Sequence, residues 1–456
     1  MRTSRRNFLK TTAVLGASTM IVSDLLAQDS PNEKVAFACV GIGGKGQSDS
    51  DDANSFGHVV AYCDTNRNQL KGGSRRFPGA EAFEDYREMF DKVGDKFDAI
   101  TVSTADHMHA IIAAAGMKLG KHCFCQKPLT RTIYEARRLG EIAVEKNVVT
   151  QMGNQGSAGL GLREGAALLR AGVVGEVKEV YCWSNRPIWP QGGERGEEAP
   201  VPAYLNWPCW LGTAPKRPYV PGAYDPFAWR GWWDFGSGAL GDMACHTLNV
   251  GFAGLEIRDP QWVEAITSGH NHDSLPKWSK ITFQFPANSW RPGFKMYWLD
   301  GGQRPDPALL DGEAPGGSGL LIIGTKGKYY SVNDYGQDRK LLGVDAAEAD
   351  ALLAKLKEEG KVPDAGVYGG HFGEFVTAIK KGDRQLPWSK FPEYAGPLTE
   401  TILLGNLAVW AASEPEVQGQ RINWDAKNLK ITGDVQDRAR LESLVKPDYQ
   451  NGYENI

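Results

Sequence analysis

The sequence predicts an α/β Rossmann domain built on a parallel sheet, followed by a C-terminal α+β domain with a large, open, mostly antiparallel sheet. Three observations predict it. The apolar run Val35-Ala-Phe-Ala-Cys-Val40 leads straight into Gly41-Ile-Gly43-Gly44-Lys45-Gly46, a G-x-G-x-x-G turn. Strand-like and helix-like segments then alternate as far as Met152, the rhythm of a parallel sheet. Beyond Glu176, strand-like runs follow one another with few helices between them, the rhythm of an open antiparallel or mixed sheet. A chain of 456 residues exceeds what one core of ordinary size holds, so two domains are expected. The boundaries read as a leader over 1–30, a nucleotide-binding domain over 31–155 and a substrate-binding and oligomerisation domain over 156–456. The C-terminal helices are expected to pack back on the first domain.

The leader carries Ser4-Arg5-Arg6-Asn-Phe-Leu-Lys10, which matches the twin-arginine export pattern. The stretch from Thr11 to Ala27 is too short and too polar for a bilayer span, which takes about 20 apolar residues. It reads as a signal h-region cleaved near Ala27, and predicts a periplasmic or otherwise exported protein that meets the translocase transiently. No later segment is apolar enough to span a bilayer. The net charge of −4 leaves no basic excess for a nucleic-acid partner. The seven cysteines are an odd number, and several lie in apolar runs, where small buried hydrophobes are expected. Cys123 and Cys125 would share one face of a strand. No second Cys or His pair stands at zinc-ligand spacing, and a disulfide framework is not expected in so long a chain.

In the first domain, Val35–Val40 reads as a strand buried on both faces. The glycines Gly41, Gly43, Gly44 and Gly46 allow a tight turn and a close approach of backbone to a pyrophosphate at the following helix N-terminus. His58–Cys63 is the second strand, ending at Asp64, about twenty residues beyond Gly41, where a Rossmann acid meets the ribose hydroxyls. Asp64 favours NAD over NADP, because a carboxylate repels a 2′-phosphate; Arg67 would soften that preference. Phe97–Val102 is the next strand, followed by Ser103-Thr104-Ala-Asp-His107-Met-His109 and a helix over Ala110–Leu119. Lys121–Cys125 leads into Gln126-Lys127-Pro128, Thr132–Lys146 is helical, and Val148–Met152 is a strand. Thr104, His107, His109, Gln126, Lys127, Asn154 and Gln155 therefore gather at carboxyl ends of parallel strands, where ligands of such sheets bind.

These motifs resemble those of the glucose–fructose oxidoreductase, inositol dehydrogenase and rhizopine-catabolism family (Gfo/Idh/MocA). That family carries Glu-Lys-Pro where this chain has Gln126-Lys127-Pro128. It also carries an Asp and a His four apart on a helix with a Gly-rich entry, here Asp234-Phe-Gly-Ser-Gly-Ala-Leu-Gly-Asp242-Met-Ala-Cys-His246. The resemblance implies that Lys127, Asp242 and His246 surround the reacting carbinol. It implies that Thr104, His107, Gln126 and Asn154 join the glycines and Asp64 around NAD or NADP. It further implies a homodimer or homotetramer. On physical grounds, Asp242 and His246 project from one helix face. A histidine with an ordinary value near ~6.5 takes a hydroxyl proton near neutral pH. Asp242 would orient a sugar hydroxyl or the imidazole, and Lys127 would bond the substrate oxygen. Gln126 keeps the shape of the family's glutamate without its charge, so the carboxylate expected to hold Lys127 is missing at that position.

In the second domain, Glu176–Trp183 begins a strand. A Pro- and Trp-rich stretch from Arg186 to Trp233 follows, with Trp189, Trp207, Trp210, Trp229, Trp232 and Trp233. These rings suit two uses equally, stacking on sugar faces or packing the segment on itself. Strands are expected over Trp262–Thr267, Lys280–Phe285, Phe294–Leu299, Leu320–Ile323 and Lys328–Val332. Helices are expected over Asp345–Glu359, His371–Lys380 and Tyr394–Ala412. His270 and His272 fall in a turn between strands, and no metal is expected there.

Export and a nucleotide loop together constrain function. An exported enzyme cannot draw on a free NAD pool, and the twin-arginine route moves folded proteins, so the cofactor is expected to be tightly bound and regenerated in place. An oxidoreductase acting on a hydroxyl of a sugar, glycoside or cyclitol fits this. So does a redox-neutral glycoside hydrolase that oxidises, eliminates, hydrates and re-reduces one substrate. A non-catalytic carbohydrate-binding protein with a vestigial cofactor site is a third reading.

Overall fold

The computed structural model describes residues 34–454 and Ile456; the leader, with Arg5, Arg6 and Ala27, lies outside the described residues. The first domain is a six-stranded sheet of β1 (Ala36–Val40), β2 (His58–Cys63), β3 (Glu81–Phe83), β4 (Ala99–Val102), β5 (His122–Cys125) and β6 (Thr150–Met152). The strands run in the order β3-β2-β1-β4-β5-β6, and every pairing is parallel. All residues of β1, β4 and β6 are buried. Burial on both faces is why these segments read as unbroken apolar runs rather than alternating ones. Five helices alternate with the strands: α1 (Lys45–Phe56), α2 (Arg67–Arg76), α3 (Tyr86–Val93), α4 (Asp106–Lys118) and α5 (Ile133–Glu145). The order of the strands reverses between β1 and β4, which opens a crevice at their carboxyl ends.

Helix boundaries follow their caps. α5 starts where Thr132 and Glu135 form a reciprocal capping box. α4 begins at Asp106, four residues earlier than its apolar pattern predicts, so His107 and His109 lie in its first turn. The early start is stabilised by Asp106, whose carboxylate suits a helix N-terminus and accepts from the Ser237 amide at 3.1 Å and hydroxyl at 2.6 Å.

α6 (Leu160–Arg170) leads into a nine-stranded sheet. Its strands are β7 (Val177–Trp183), β8 (Trp262–Thr267), β9 (Ser279–Phe285), β10 (Phe294–Leu299), β11 (Gly319–Gly324), β12 (Lys328–Ser331), β13 (Arg339–Leu342), β14 (Ile422–Asp425) and β15 (Lys430–Thr432). They run β13-β12-β11-β7-β10-β9-β8-β14-β15, antiparallel except for β7 beside β10. Burial alternates along β8 and β9, as expected of a sheet with one face covered. The remaining helices are α7 (Trp207–Leu211), α8 (Gly238–Thr247), α9 (Asn249–Leu255), α10 (Ala346–Glu358), α11 (Gly370–Lys381), α12 (Gly396–Trp410) and α13 (Arg438–Val445). α11 inserts Phe372 and Phe375 against Phe37 of β1 and Phe124 of β5, with ring centroids 4.8–6.4 Å apart. A buried Arg163–Glu374 ion pair ties α6 to α11. Among the described residues no helix is long and apolar enough to cross a membrane.

The Trp-rich stretch packs largely on itself. Trp207 stacks on Trp210 at 4.8 Å, and both enclose Tyr224, which also meets Trp232 and Phe235. Packing rather than sugar stacking accounts for Trp207 and Trp232. All seven cysteines are free, and six are buried.

Candidate active site

A cavity of about 380 Å³ opens at the carboxyl ends of β1, β2, β4 and β5. One wall is the glycine turn. At Gly41, with φ +77°, a Cβ would stand 2.6 Å from the Ser103 carbonyl oxygen. At Gly46 it would stand 2.0 Å from the Gly41 carbonyl oxygen, so that glycine serves the close fit of turn to helix and does not line the cavity. Gly44, at φ +54°, has nothing within 4 Å of where its Cβ would be. The turn is thus an open backbone cradle at the head of α1, the shape a pyrophosphate needs.

Asp64 lies at the end of β2 and lines the same cavity. It accepts from the amide of Ile42 at 3.0 Å and from that of Asn66 at 2.9 Å. Burial pushes its carboxyl up to about 6, against the pull of those amides. Arg67 is committed elsewhere: Nε and Nη2 hold Glu84 at 2.6 and 3.2 Å, and Nη1 donates to the Ala203 carbonyl at 2.6 Å. The cation expected to soften the preference against a 2′-phosphate is therefore occupied. Cradle, acid and cavity fit a dinucleotide: Gly41, Gly43 and Gly44 would hold its pyrophosphate and Asp64 would meet its adenosine ribose.

Thr104, His107, Gln126 and Lys127 carry the cavity wall onward. His107 is held by its ring Nε2 at 3.1 Å from the Trp210 carbonyl and packs against Trp210 and Phe235. Burial lowers it to about 4, so it is neutral near pH 7. His109 faces the Pro128 carbonyl at 2.9 Å and that of Thr104 at 3.1 Å, and thereby fixes the loop that carries Lys127.

Lys127 finds its carboxylate on the other domain. Its Nζ donates to Asp242 Oδ1 at 2.8 Å and to the Asp242 carbonyl at 3.0 Å. Arg230 Nε donates to the same Oδ1 at 3.2 Å. Burial alone would raise the Asp242 carboxyl; Lys127 and Arg230 overcome it and hold it at about 2. The neutral Gln126 is explained by Asp49 of α1: Gln126 Nε2 donates to Asp49 Oδ2 at 2.8 Å, an oxygen that Ser103 also holds at 2.7 Å. Lys45 takes the other oxygen at 2.7 Å. The site thus carries its carboxylate on Asp49, and a glutamate at position 126 would face it with like charge.

Three expectations need correction. Asp242 does not orient the imidazole of His246. It is engaged by the two cations, while His246 is buried with Nδ1 lacking any partner and its ring edge-on to Tyr335 at 5.2 Å. Nor does His246 keep an ordinary value; burial, then the Lys127 charge, lowers it to about 3. Asn154 does not line the cavity: it is buried, its Nδ2 donates to the Cys245 carbonyl at 3.5 Å, and Oδ1 is unpartnered. His270 lies away from the cavity, its Nε2 at 3.0 Å from the Val409 carbonyl and its ring against His272. Among the described residues no cluster could hold a metal ion.

Sequence reasoning missed Asp49, Ser103 and Arg230. Asp49 carried a signal, standing four residues beyond Lys45 on a helix face. Arg230 carried none. Its guanidinium lies over Trp229 at 4.2 Å and Phe227 at 4.5 Å, in the segment whose aromatics drew attention first.

Comparisons with known proteins agree with this geometry. Residues 35–154 match the model of an oxidoreductase family with an NAD-binding Rossmann fold, and residues 169–331 match that family's C-terminal alpha/beta domain. The chain is 25% identical to levoglucosan dehydrogenase of Pseudarthrobacter phenanthrenivorans over 39% of its own length and 37% of that protein's. It is 30% identical to a glycosyl hydrolase family 109 protein of Solibacter usitatus over 30% of its length and 36% of the relative's. The stretches matched thus span little more than a third of these curated relatives. An inositol dehydrogenase homologue of Azotobacter vinelandii, solved with NAD+, shares the fold with a TM-score of 0.59 and 16% identity, over 86% of this chain and 97% of that one. With both domains matched across more than half of its length, the chain belongs to the Gfo/Idh/MocA oxidoreductase family.

Proposed function

We propose that the protein is an NAD-dependent oxidoreductase acting on a secondary hydroxyl of a sugar, glycoside or cyclitol, and that it works as an exported enzyme with its cofactor retained. The observation that carries this reading is one continuous cavity running from the glycine turn and Asp64 to Lys127 and Arg230, the two cations held by Asp242. Bound NAD supplies the hydride acceptor. The chain's own residues then do three things. Lys127, kept oriented by Asp242, donates to the carbinol oxygen and favours loss of its proton. Arg230, fixed over aromatic rings, offers further donors to neighbouring hydroxyls. His246, neutral at working pH but outside the cavity wall and with Nδ1 buried and unpartnered, is proposed as the proton acceptor from the family resemblance alone, since burial that lowers it to about 3 makes it a weak base.

The relative named levoglucosan dehydrogenase and the neighbour named as an inositol dehydrogenase homologue support a polyhydroxylated substrate. A second reading, net cleavage of a glycoside by temporary oxidation of the same carbinol, is favoured by the similarity to the glycosyl hydrolase family 109 protein. The export proposal rests on Arg5 and Arg6 and their flanking residues. A homodimer or homotetramer is proposed from the family resemblance.

The test is a panel of sugars, glycosides and cyclitols offered to the full chain with NAD. Reduction of the nicotinamide by one of them supports the first reading. Release of an aglycone without net redox change supports the second. Neither, with every class tried, refutes both.

A further inference from the structure

We propose that Asp225, carried by the second domain, is a second carboxylate at the adenosine-ribose end of the dinucleotide groove, and that with Asp64 it makes the protein reject a 2′-phosphate. The inference rests on reading the cavity as an NAD site and adds a selectivity residue from outside the Rossmann unit.

Backbone geometry places it there. The chain just before α7 is laid across the turn after β2. The Arg67 amide donates to the Tyr204 carbonyl at 2.8 Å, the Asn206 amide donates to the Thr65 carbonyl at 2.8 Å, and Asn66 bridges to Leu205. This strap therefore touches the two residues that directly follow Asp64. Its continuation brings Asp225 into the wall of the same cavity that Asp64 lines. The backbone at Asp225 is anchored on one side, because Tyr224 beside it is fully buried among Trp207, Trp232 and Phe235.

The chemistry of the two acids is complementary to a ribose. Asp64 gives one oxygen to Ile42 and the other to Asn66, leaving lone pairs on each. Asp225 is partly buried and accepts no hydrogen bond from any described residue. Its oxygens are therefore open to a donor, and a ribose hydroxyl would supply one. A phosphate on the 2′-oxygen would remove one donor and bring negative charge against both acids. The cations nearest Asp64 in sequence and turn are engaged elsewhere: Arg67 with Glu84 and Ala203, and Lys45 with Asp49. Burial raises the carboxyl of Asp64, and the charge of Asp225 adds a smaller rise.

The experiment is calorimetric titration of the full chain, stripped of nucleotide, with NAD and separately with NADP. Asp225→Asn and Asp64→Asn are compared with wild type. The wild type should prefer NAD. Asp225→Asn, which keeps shape and loses charge, should lower the NAD-to-NADP affinity ratio by about tenfold or more, mainly by tighter NADP binding. The double variant should lower it further. A merely structural role would weaken both nucleotides alike and leave the ratio unmoved. A ratio within twofold of wild type in Asp225→Asn, while Asp64→Asn shifts it, overturns the inference alone. A wild-type chain that binds neither nucleotide overturns the groove reading and this inference with it.

Discussion

Asp242→Asn should cost more stability than Lys127→Met, although the two residues form one ion pair. Asp242 serves two cations, Lys127 at 2.8 Å and Arg230 at 3.2 Å on the same oxygen. The side chains of Lys127 and Asp242 are only 15% and 13% exposed, so water screens the pair little. Holding the Asp242 carboxyl at about 2 instead of 3.8 corresponds to ~2 kcal/mol in favour of its charged form. Because its folded value lies below its unfolded one, that contribution is complete above about pH 4 and is lost as the pH falls toward about 2. At pH 7, Asp242→Asn leaves two desolvated cations unpaired, and a loss of about 2–3 kcal/mol is expected, less than for a fully buried pair. Lys127→Met leaves Asp242 paired to Arg230, and about 1 kcal/mol is expected. The assay is thermal or urea unfolding of both single variants and the double variant. The coupling energy should be at least ~1 kcal/mol. Equal losses in the two single variants, or a coupling indistinguishable from zero, would refute the claim that Asp242 is shared.

Other predictions follow from the same geometry. Lys127→Ala should lower kcat by ~100-fold or more while leaving NAD affinity within a few-fold, as steady-state kinetics and titration would show; a loss confined to KM would contradict its role at the reacting oxygen. His246→Ala should likewise cost ~100-fold in kcat, and a loss of less than a few-fold would remove it from the proton-transfer role. NAD affinity should fall as the pH drops through about 6, where Asp64 takes up its proton and its charge no longer accepts from the ribose; Asp64→Asn should bind weakly at every pH and abolish the dependence. Gly46→Ala places a Cβ 2.0 Å from the Gly41 carbonyl oxygen, so the turn must open, and nucleotide binding by titration should fall by at least tenfold even where the chain remains folded.

The first domain was legible because its signals are local. An apolar strand, a glycine turn and an acid at the next strand end lie within one βαβ unit, and the cradle and Asp64 stand where that pattern places them. Asp242 and Lys127 could be named but not joined, since 115 residues separate them and only tertiary packing sets the 2.8 Å contact. The ordinary titration expected of His246 failed for the same reason: helical spacing shows which face a residue shares, not how deeply that face is buried. Asp49 and Gln126 are 77 residues apart, so the charge exchange between them was invisible along the chain. β3, β13, β14 and β15 were missed because each has only three or four residues, several of them polar, and they are strands by virtue of their neighbours' edges. The Trp-rich segment offered two readings of equal weight; mutual packing accounts for Trp207 and Trp232, while Trp210 and Trp229 also line the cavity and Arg230, over Trp229, faces the site.

The central claim is that a nicotinamide held along this cavity meets a substrate hydroxyl at Lys127. Single-turnover reduction tests it most directly. The full chain, loaded with one equivalent of NAD, is mixed with the sugar or cyclitol that scores best in the panel, and reduced nicotinamide is followed by fluorescence. The account predicts close to one reduced nicotinamide per chain in the wild type and a rate slower by ~100-fold or more in Lys127→Ala. Reduction at an undiminished rate in that variant would contradict it, as would a loaded wild-type protein that no polyhydroxylated substrate reduces.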